Sequence, residues 1–365
     1  MGINNFWLWR IGIFMINNSS KKKAVTIILM IVAFFLIGCE TDSHDNFNLR
    51  PIDDDMLAHM AEIEADGTEF AIGGIHGVSA LKNEINPYED FYGVIELEKA
   101  TDYLVTNIGN ASTHDLDYLF KIFLNYEAIP FRVSGEDRYE KYFTFSLERG
   151  YQIDIPFTLD FAFPNEDSTQ KLTVVFIVDP FQEIINEDNH YLFWGRNAFA
   201  LNNDLIIGSG NSMQFDVPVN SEIISREEDT QFVDLFIAPS FELNEWGFLD
   251  VPEFKIQVQR NEEIELLFYA SPFAPSGYEL ENYLIIGLLN WQQVELSGNP
   301  FLFINAKENE LENILDHGIL TLDAIDEVGM YDFIAILIPN PSMPNSINNS
   351  FPLSVSNRFV IEVIE

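Results

Sequence analysis

Tyr118-Leu119-Phe120-Lys121-Ile122-Phe123-Leu124-Asn125-Tyr126 recurs as Tyr283-Leu284-Ile285-Ile286-Gly287-Leu288-Leu289-Asn290-Trp291, 165 residues further along the chain. Each copy is an aromatic and β-branched run that ends at Leu-Asn-aromatic. A Ser-Gly turn follows in both, Ser134-Gly135 and Ser297-Gly298. Runs of this composition bounded by turn residues read as β-strands. The features around them keep their order. Tyr142 to Leu147 matches Phe301 to Ile304, and Gln152 to Phe161 matches Ile319 to Leu322. A strongly hydrophobic strand then runs into proline in each copy, Leu172 to Pro180 and Tyr331 to Pro339. Alternating strands, Met213 to Val219 and Arg358 to Val363, close the two copies.

Two sets of about seven short strands, divided by turns such as Arg149-Gly150 and Gly298-Asn299-Pro300, predict an all-β chain. Its architecture is expected to be two tandem antiparallel β-sandwich domains, similar in a general way to the immunoglobulin-like class. The first domain spans residues 91–220 and the second 230–365, with Ser221 to Asp229 as the linker. Arg260-Asn261-Glu262-Glu263 reads as a hairpin turn between Phe254 to Gln259 and Ile264 to Tyr269. Glu310 to Leu315 reads as a short helical turn, and Trp291 as a core anchor. Residues 56–90 hold a short helix and a lead-in segment. Asp55 caps the helix from Met56 to Ala65, whose apolar stripe is Met56, Leu57, Met60 and Ile63. In the glycine-rich Phe70 to Val78 the spacing departs from a phosphate loop, so a turn between short strands is expected, with His76 in a local hydrogen bond instead of ligating anything.

Charge narrows the function. The 365 residues hold 19 Lys and Arg against 58 Asp and Glu. Arg10 and Lys21, Lys22 and Lys23 all precede Cys39, and no acid does, so residues 39–365 carry 15 cations and a net charge of −43. Such a body repels nucleic-acid phosphates, which excludes nucleic acid as a partner. It is not a disordered acidic tail, because 47% of residues are hydrophobic, with 32 Phe and 13 Tyr. Cys39 is the only cysteine, so neither a disulfide nor a zinc-type cysteine pair can form within one chain.

The N-terminus reads as an export signal. Three lysines precede an uncharged apolar run from Ala24 to Ile37, then Gly38 and Cys39. Leu36-Ile37-Gly38-Cys39 resembles the lipobox of bacterial lipoproteins. That resemblance implies a signal peptide over residues 1–38, cleavage before Cys39, and acylation of its thiol with chains such as palmitate. The mature protein is then expected to be lipid-anchored to a bacterial membrane through Cys39, its body outside the cytoplasm. Residues 39–55 form the acylated cysteine and a polar tether. Met15 is the expected initiator, because it opens a compact basic region directly before the apolar run.

Catalytic signals are weak. Glu148 with Asp154, and Asp323 with Asp326, are carboxylate pairs of the kind a glycosidase needs, but in a chain this acidic, spacing alone favours solvated turns. None of the six histidines sits in a zinc-protease pattern, and Gly208-Ser209-Gly210 lacks the residues of a nucleophile elbow. Glu187-Asp188-Asn189-His190 reads as a polar loop. Asp53-Asp54-Asp55 lacks the alternating oxygens and glycine of a calcium loop, leaving calcium as the one candidate cofactor, on charge alone. Trp194 and Arg196 are candidate ligand contacts, since an indole beside a guanidinium suits a sugar face or an anionic peptide end. Their competing role is to plug a sandwich end and neutralise acids. Trp246 presents the same choice. Three functions compete: a non-enzymatic surface lipoprotein that binds or spaces a protein or glycan, an enzyme acting on an extracellular polysaccharide or cell wall, and a cation-dependent adhesion or assembly module.

Overall fold

Strands that are apolar on both faces lose the usual alternation, because neither side meets water. Among the described residues Leu116–Leu124, Ser168–Val178, Asn282–Leu289 and Gly329–Pro339 have that character over most of their length, and the architecture is arranged around them. A computed structural model describes residues 47–52, 76–80, 94–97, 103–112, 114–161, 168–182, 198–207, 223–228, 235–239, 242–243, 249–250, 255–271, 280–306, 314–343 and 353–365. The described residues are all-β, in antiparallel and mixed sheets. Asn46–Glu365 forms one compact unit.

Sheet A runs β1 (Asn48–Pro51), β9 (Tyr151–Leu159), β4 (Leu104–Gly109), β2 (His76–Ala80), with β7 (Phe131–Val133) also on β9. Sheet B runs β3 (Val94–Leu97), β11 (Ala198–Ile207), β10 (Ser168–Val178), β5 (Leu116–Leu124), β6 (Glu127–Ala128), with β8 (Phe143–Leu147) also on β5. Sheet C runs β12 (Ile223–Glu228), β21 (Ile314–Leu322), β17 (Ile264–Ala270), β13 (Leu235–Ala238). Sheet D is the pair β14 (Glu242–Leu243) and β15 (Leu249–Asp250). Sheet E runs β16 (Lys255–Gln259), β24 (Phe359–Ile364), β22 (Gly329–Pro339), β18 (Asn282–Leu289), β19 (Gln292–Val294), with β20 (Leu302–Asn305) on β18 and β23 (Ser354–Val355) on β22.

The strand order repeats. Sheet C reproduces β1-β9-β4-β2 of sheet A, and sheet E reproduces β3-β11-β10-β5-β6 of sheet B. Even the single parallel pair recurs, β3 on β11 and β16 on β24. Sheets A and B share one apolar core, which includes Ile108, Phe120, Phe131, Ile155, Phe157 and Phe176. Sheets C and E share another, with Leu266, Phe268, Tyr283, Leu320, Phe333 and Ile361. Among the described residues no sheet closes into a barrel.

The structure departs from the sequence expectations at several strands. Asn48–Pro51, read as tether, is an edge strand on β9. His76–Ala80, in the lead-in, completes sheet A against β4. Ile223–Glu228, read as linker, pairs with β21. All three are short, and the first and third are polar, so alternation does not mark them. Arg260 to Glu263 is not a hairpin turn, because β16 belongs to sheet E and β17 to sheet C. Ile256 and Val258 pack onto the core from one side and Ile264 and Leu266 from the other, so the turn crosses between sheets. The place of β24 is taken in the first module by β11. Met213 to Val219, the Met56 to Ala65 helix and the glycine-rich Phe70 to Ile75 lie outside the described residues. Of the expected helical turn at Glu310 to Leu315, Ile314 and Leu315 open β21.

Candidate functional site

Cys39, Trp194, Arg196 and Trp246 all lie outside the described residues, as do Glu187 to His190 and Gly208 to Gly210. Of the carboxylates considered, Glu148, Asp323 and Asp326 are exposed. Asp154 is 4% exposed and bound by Asn48, Arg50 and Asn107. Among the described residues no group of three or more His, Cys, Asp or Glu side chains is gathered as a metal site.

The most elaborate side-chain arrangement is the junction of the two modules. On β5 and β10, one face fills the core between sheets A and B. The other presents Leu119, Phe123, Val175 and Ile177. On β18 and β22 the equivalent outer face presents Leu284, Ile286, Leu288, Ile334, Ile336 and Ile338. These residues form a single buried layer, so sheets B and E stand back to back. Each Leu or Ile removed from water there contributes about 1.5–3 kcal/mol relative to exposure.

The repeated Leu-Asn-aromatic motif seals this layer. Asn125 and Tyr126 have φ of 50° and 70°, and Asn290 and Trp291 have 44° and 66°. Two left-handed residues between paired strands make the tight hairpin turns β5–β6 and β18–β19. Asparagine tolerates that conformation; an aromatic residue there costs about 1–2 kcal/mol. Burial of the rings offsets it, for Tyr126 is fully buried and Trp291 is 5% exposed. Asn125 Oδ1 accepts from the Lys171 amide at 3.0 Å, and Asn290 Oδ1 accepts from the Asp332 amide at 2.9 Å. Lys171 and Asp332 are therefore equivalent positions in the two copies.

Both positions carry an ion pair whose cation is buried and reaches into the other module. Arg358 on the β24 side grips Asp332 with two bonds of 2.9 and 2.8 Å. It also donates to the carbonyls of Asp179, Pro180 and Gln182 in the first module at 3.0–3.1 Å. Its guanidinium stacks on Trp291, 4.9 Å from the ring centroid. In the mirror arrangement Lys171 pairs with Asp204 at 2.6 Å and donates to Met343 O of the second module at 2.5 Å. Burial pulls the Lys171 ammonium below its ordinary value, and the Asp204 carboxylate opposes that pull. Tyr126 Oη donates to Pro341 O at 2.9 Å, and burial pushes its phenol upward. Gln293 closes the rim, donating to Tyr126 O at 2.9 Å and accepting from the Ala128 amide at 2.6 Å. Each copy thus clamps the turn that follows the longest strand of the other.

One cation in the layer is paired with no carboxylate among the described residues. Lys121, on the outer face of β5, is fully buried, and its Nζ donates to Lys141 O at 3.3 Å. Burial, helped by the nearby Lys141 charge, lowers it from 10.5 to about 8. The repeated motif was legible in sequence; the clamps on Lys171 and Arg358 were not, because cross-strand register selects their partners.

No protein-family model matches the chain, and no curated protein matches it. Among solved structures, the C-terminal domain of the AgI/II polypeptide BspA of Streptococcus agalactiae aligns at 11% identity and a TM-score of 0.23, over 79% of this chain and 100% of that one. Red sea bream transglutaminase aligns at 5% identity and a TM-score of 0.22, over 84% of this chain and 33% of that one. The CsuC–CsuE chaperone–tip adhesion subunit complex of Acinetobacter baumannii aligns at 10% identity and a TM-score of 0.20, over 75% and 96%.

Proposed function

We propose that this chain is an exported lipoprotein, anchored through Cys39, whose body is a tandem pair of immunoglobulin-like sandwiches serving as a non-enzymatic spacer and binding module for a protein or glycan. The observation that carries the reading is the back-to-back junction. A spacer must resist bending between its parts, and a continuous apolar layer with two reciprocal clamps ties the modules together. The lipobox resemblance supplies the anchor, and a net charge of −43 keeps the body soluble and away from anionic surfaces.

The test has two arms. In cells fed labelled fatty acid, the wild-type protein is expected to take up label, and Cys39→Ala to remain a slower-migrating, unlabelled form. Equal labelling of the two would overturn the anchor. On intact cells, crosslinking followed by identification of the captured species is expected to recover a protein or glycan in stable association. Turnover of a cell-wall or extracellular polysaccharide by the purified body would replace the binding reading with an enzymatic one.

A further inference from the structure

Cys39 and Asn48 are nine residues apart, a contour of at most about 30 Å. Any pull on an anchor at Cys39 therefore enters the described body at β1. That strand has four residues and stands at the edge of sheet A, a position that is ordinarily weak. Here it is tied down at both ends. Phe47 packs on the core of sheets A and B and meets Phe143 edge-on, centroids 5.8 Å apart. Ile52 is 3% exposed, and its amide donates to Gly150 O at 2.8 Å. Its side chain sits over Gly109, where an added Cβ would meet Ile52 Cδ1 at 3.1 Å.

Between those ends stands Asp154 of β9. Its carboxylate accepts from Asn48 Nδ2 at 2.9 Å and from an Arg50 terminal nitrogen at 3.1 Å, both on β1. It also accepts from Asn107 Nδ2 on β4 at 2.5 Å. One carboxylate, 4% exposed, thus links three adjacent strands. The fold itself does not require this, because in sheet C the strands equivalent to β4 and β9 set Leu267 opposite Ile319 and Tyr269 opposite His317 on that face. The carboxylate belongs to the module next to the anchor.

We propose that Asp154 is a mechanical latch, holding β1 in sheet A against force transmitted from Cys39. The proposal deepens the anchored-spacer reading and rests on it for its biological setting. Bonds to an ionised acceptor are about twice as strong as neutral ones, so three of them reinforce a ladder only four residues long. Tension arriving at Asn48 meets the Asn48–Asp154 bond and the Phe47 contact before it reaches the backbone ladder.

The unique thiol supplies the test. The protein from residue 39 onward is held through Cys39 at one end and Glu365 at the other, and the lifetime of the first extension step is measured at constant force. Asp154→Asn is expected to shorten that lifetime about tenfold or more. Asn48→Ala with Arg50→Ala, which removes the two donors on β1 and leaves the Asn107 bond, is expected to act in the same direction and guards against a folding defect in the first variant. For the control, Cys39→Ser is combined with Glu136→Cys on the exposed turn after β7, so that pulling bypasses β1. There Asp154→Asn is expected to leave the lifetime unchanged. Equal lifetimes of wild type and both variants through Cys39, or equal losses through both handles, would overturn the latch. Because the handle is a bare thiol, failure of fatty-acid labelling at Cys39 would defeat the anchor and leave this measurement standing.

Discussion

Replacing Lys121 by methionine is expected to stabilise the protein, although it removes a charged residue from a structured strand. Lys121 occupies the position of Ile286 in the second copy, 165 residues on. It faces the layer between sheets B and E, beside Phe123, with Lys141 O as acceptor and no carboxylate partner among the described residues. Burial and the Lys141 charge lower its pKa from 10.5 to about 8. Each tenfold displacement of a proton equilibrium is worth about 1.4 kcal/mol, so the charged form costs the folded state about 3 kcal/mol at neutral pH. Methionine has a similar length and fills irregular apolar space, so most of that cost is recovered. The sign follows from linkage. The penalty is complete below the folded-state value of about 8, shrinks as pH rises, and vanishes above the unfolded-state value near 10.5. Urea unfolding of the body at pH 7 is expected to place Lys121→Met about 2–3 kcal/mol above wild type. At pH 10.5 the two curves are expected to converge. A variant no more stable than wild type at pH 7 would refute the buried-charge argument. A gain that persists unchanged at pH 10.5 would assign the effect to packing instead of charge.

Arg358→Ala is expected to cost about 3–5 kcal/mol in the same assay, because it strands Asp332 and three carbonyls of the other module. Arg358→Lys is expected to restore little of it, since an ammonium cannot reproduce the planar fork or its stacking on Trp291. At Gly318 an added Cβ would lie 2.2 Å from two ring atoms of Phe268, its cross-strand neighbour. Gly318→Ala is therefore expected to lose about 1–3 kcal/mol through overpacking, read from the midpoint of urea unfolding. Sodium chloride from 0.1 to 1 M is expected to raise the melting temperature, as screening of the −43 charge shortens from about 10 Å to about 3 Å. A calcium-only rise at matched ionic strength would instead mark a specific site and favour cation-dependent assembly.

The sequence by itself determined the strands that have a dry side. β5, β10, β18 and β22 were legible as long apolar runs, and the Leu-Asn-aromatic repeat marked the turns after β5 and β18. Local composition suffices there, because a residue facing a core must be apolar wherever that core comes from. What covers the second apolar face was a tertiary matter: each copy supplies the cover for the other, and nothing in either run names its partner. Edge strands escaped for the opposite reason. Asn48–Pro51 and Ile223–Glu228 are short and show no apolar alternation in sequence, and the residues that meet them, Asp154 opposite Asn48 among them, lie about a hundred positions away in the chain. Membership of sheets was likewise decided by register. No closing role is read in sequence for Ala198–Ile207, yet ten residues of β10 pair with it. Its place between β3 and β10 is set by non-local ladders on both sides. The clamps follow the same rule. Lys171, Asp204, Asp332 and Arg358 read as four ordinary charges in an acidic chain until pairing of β10 with β11, and of β22 with β24, sets them side by side, with both cations buried.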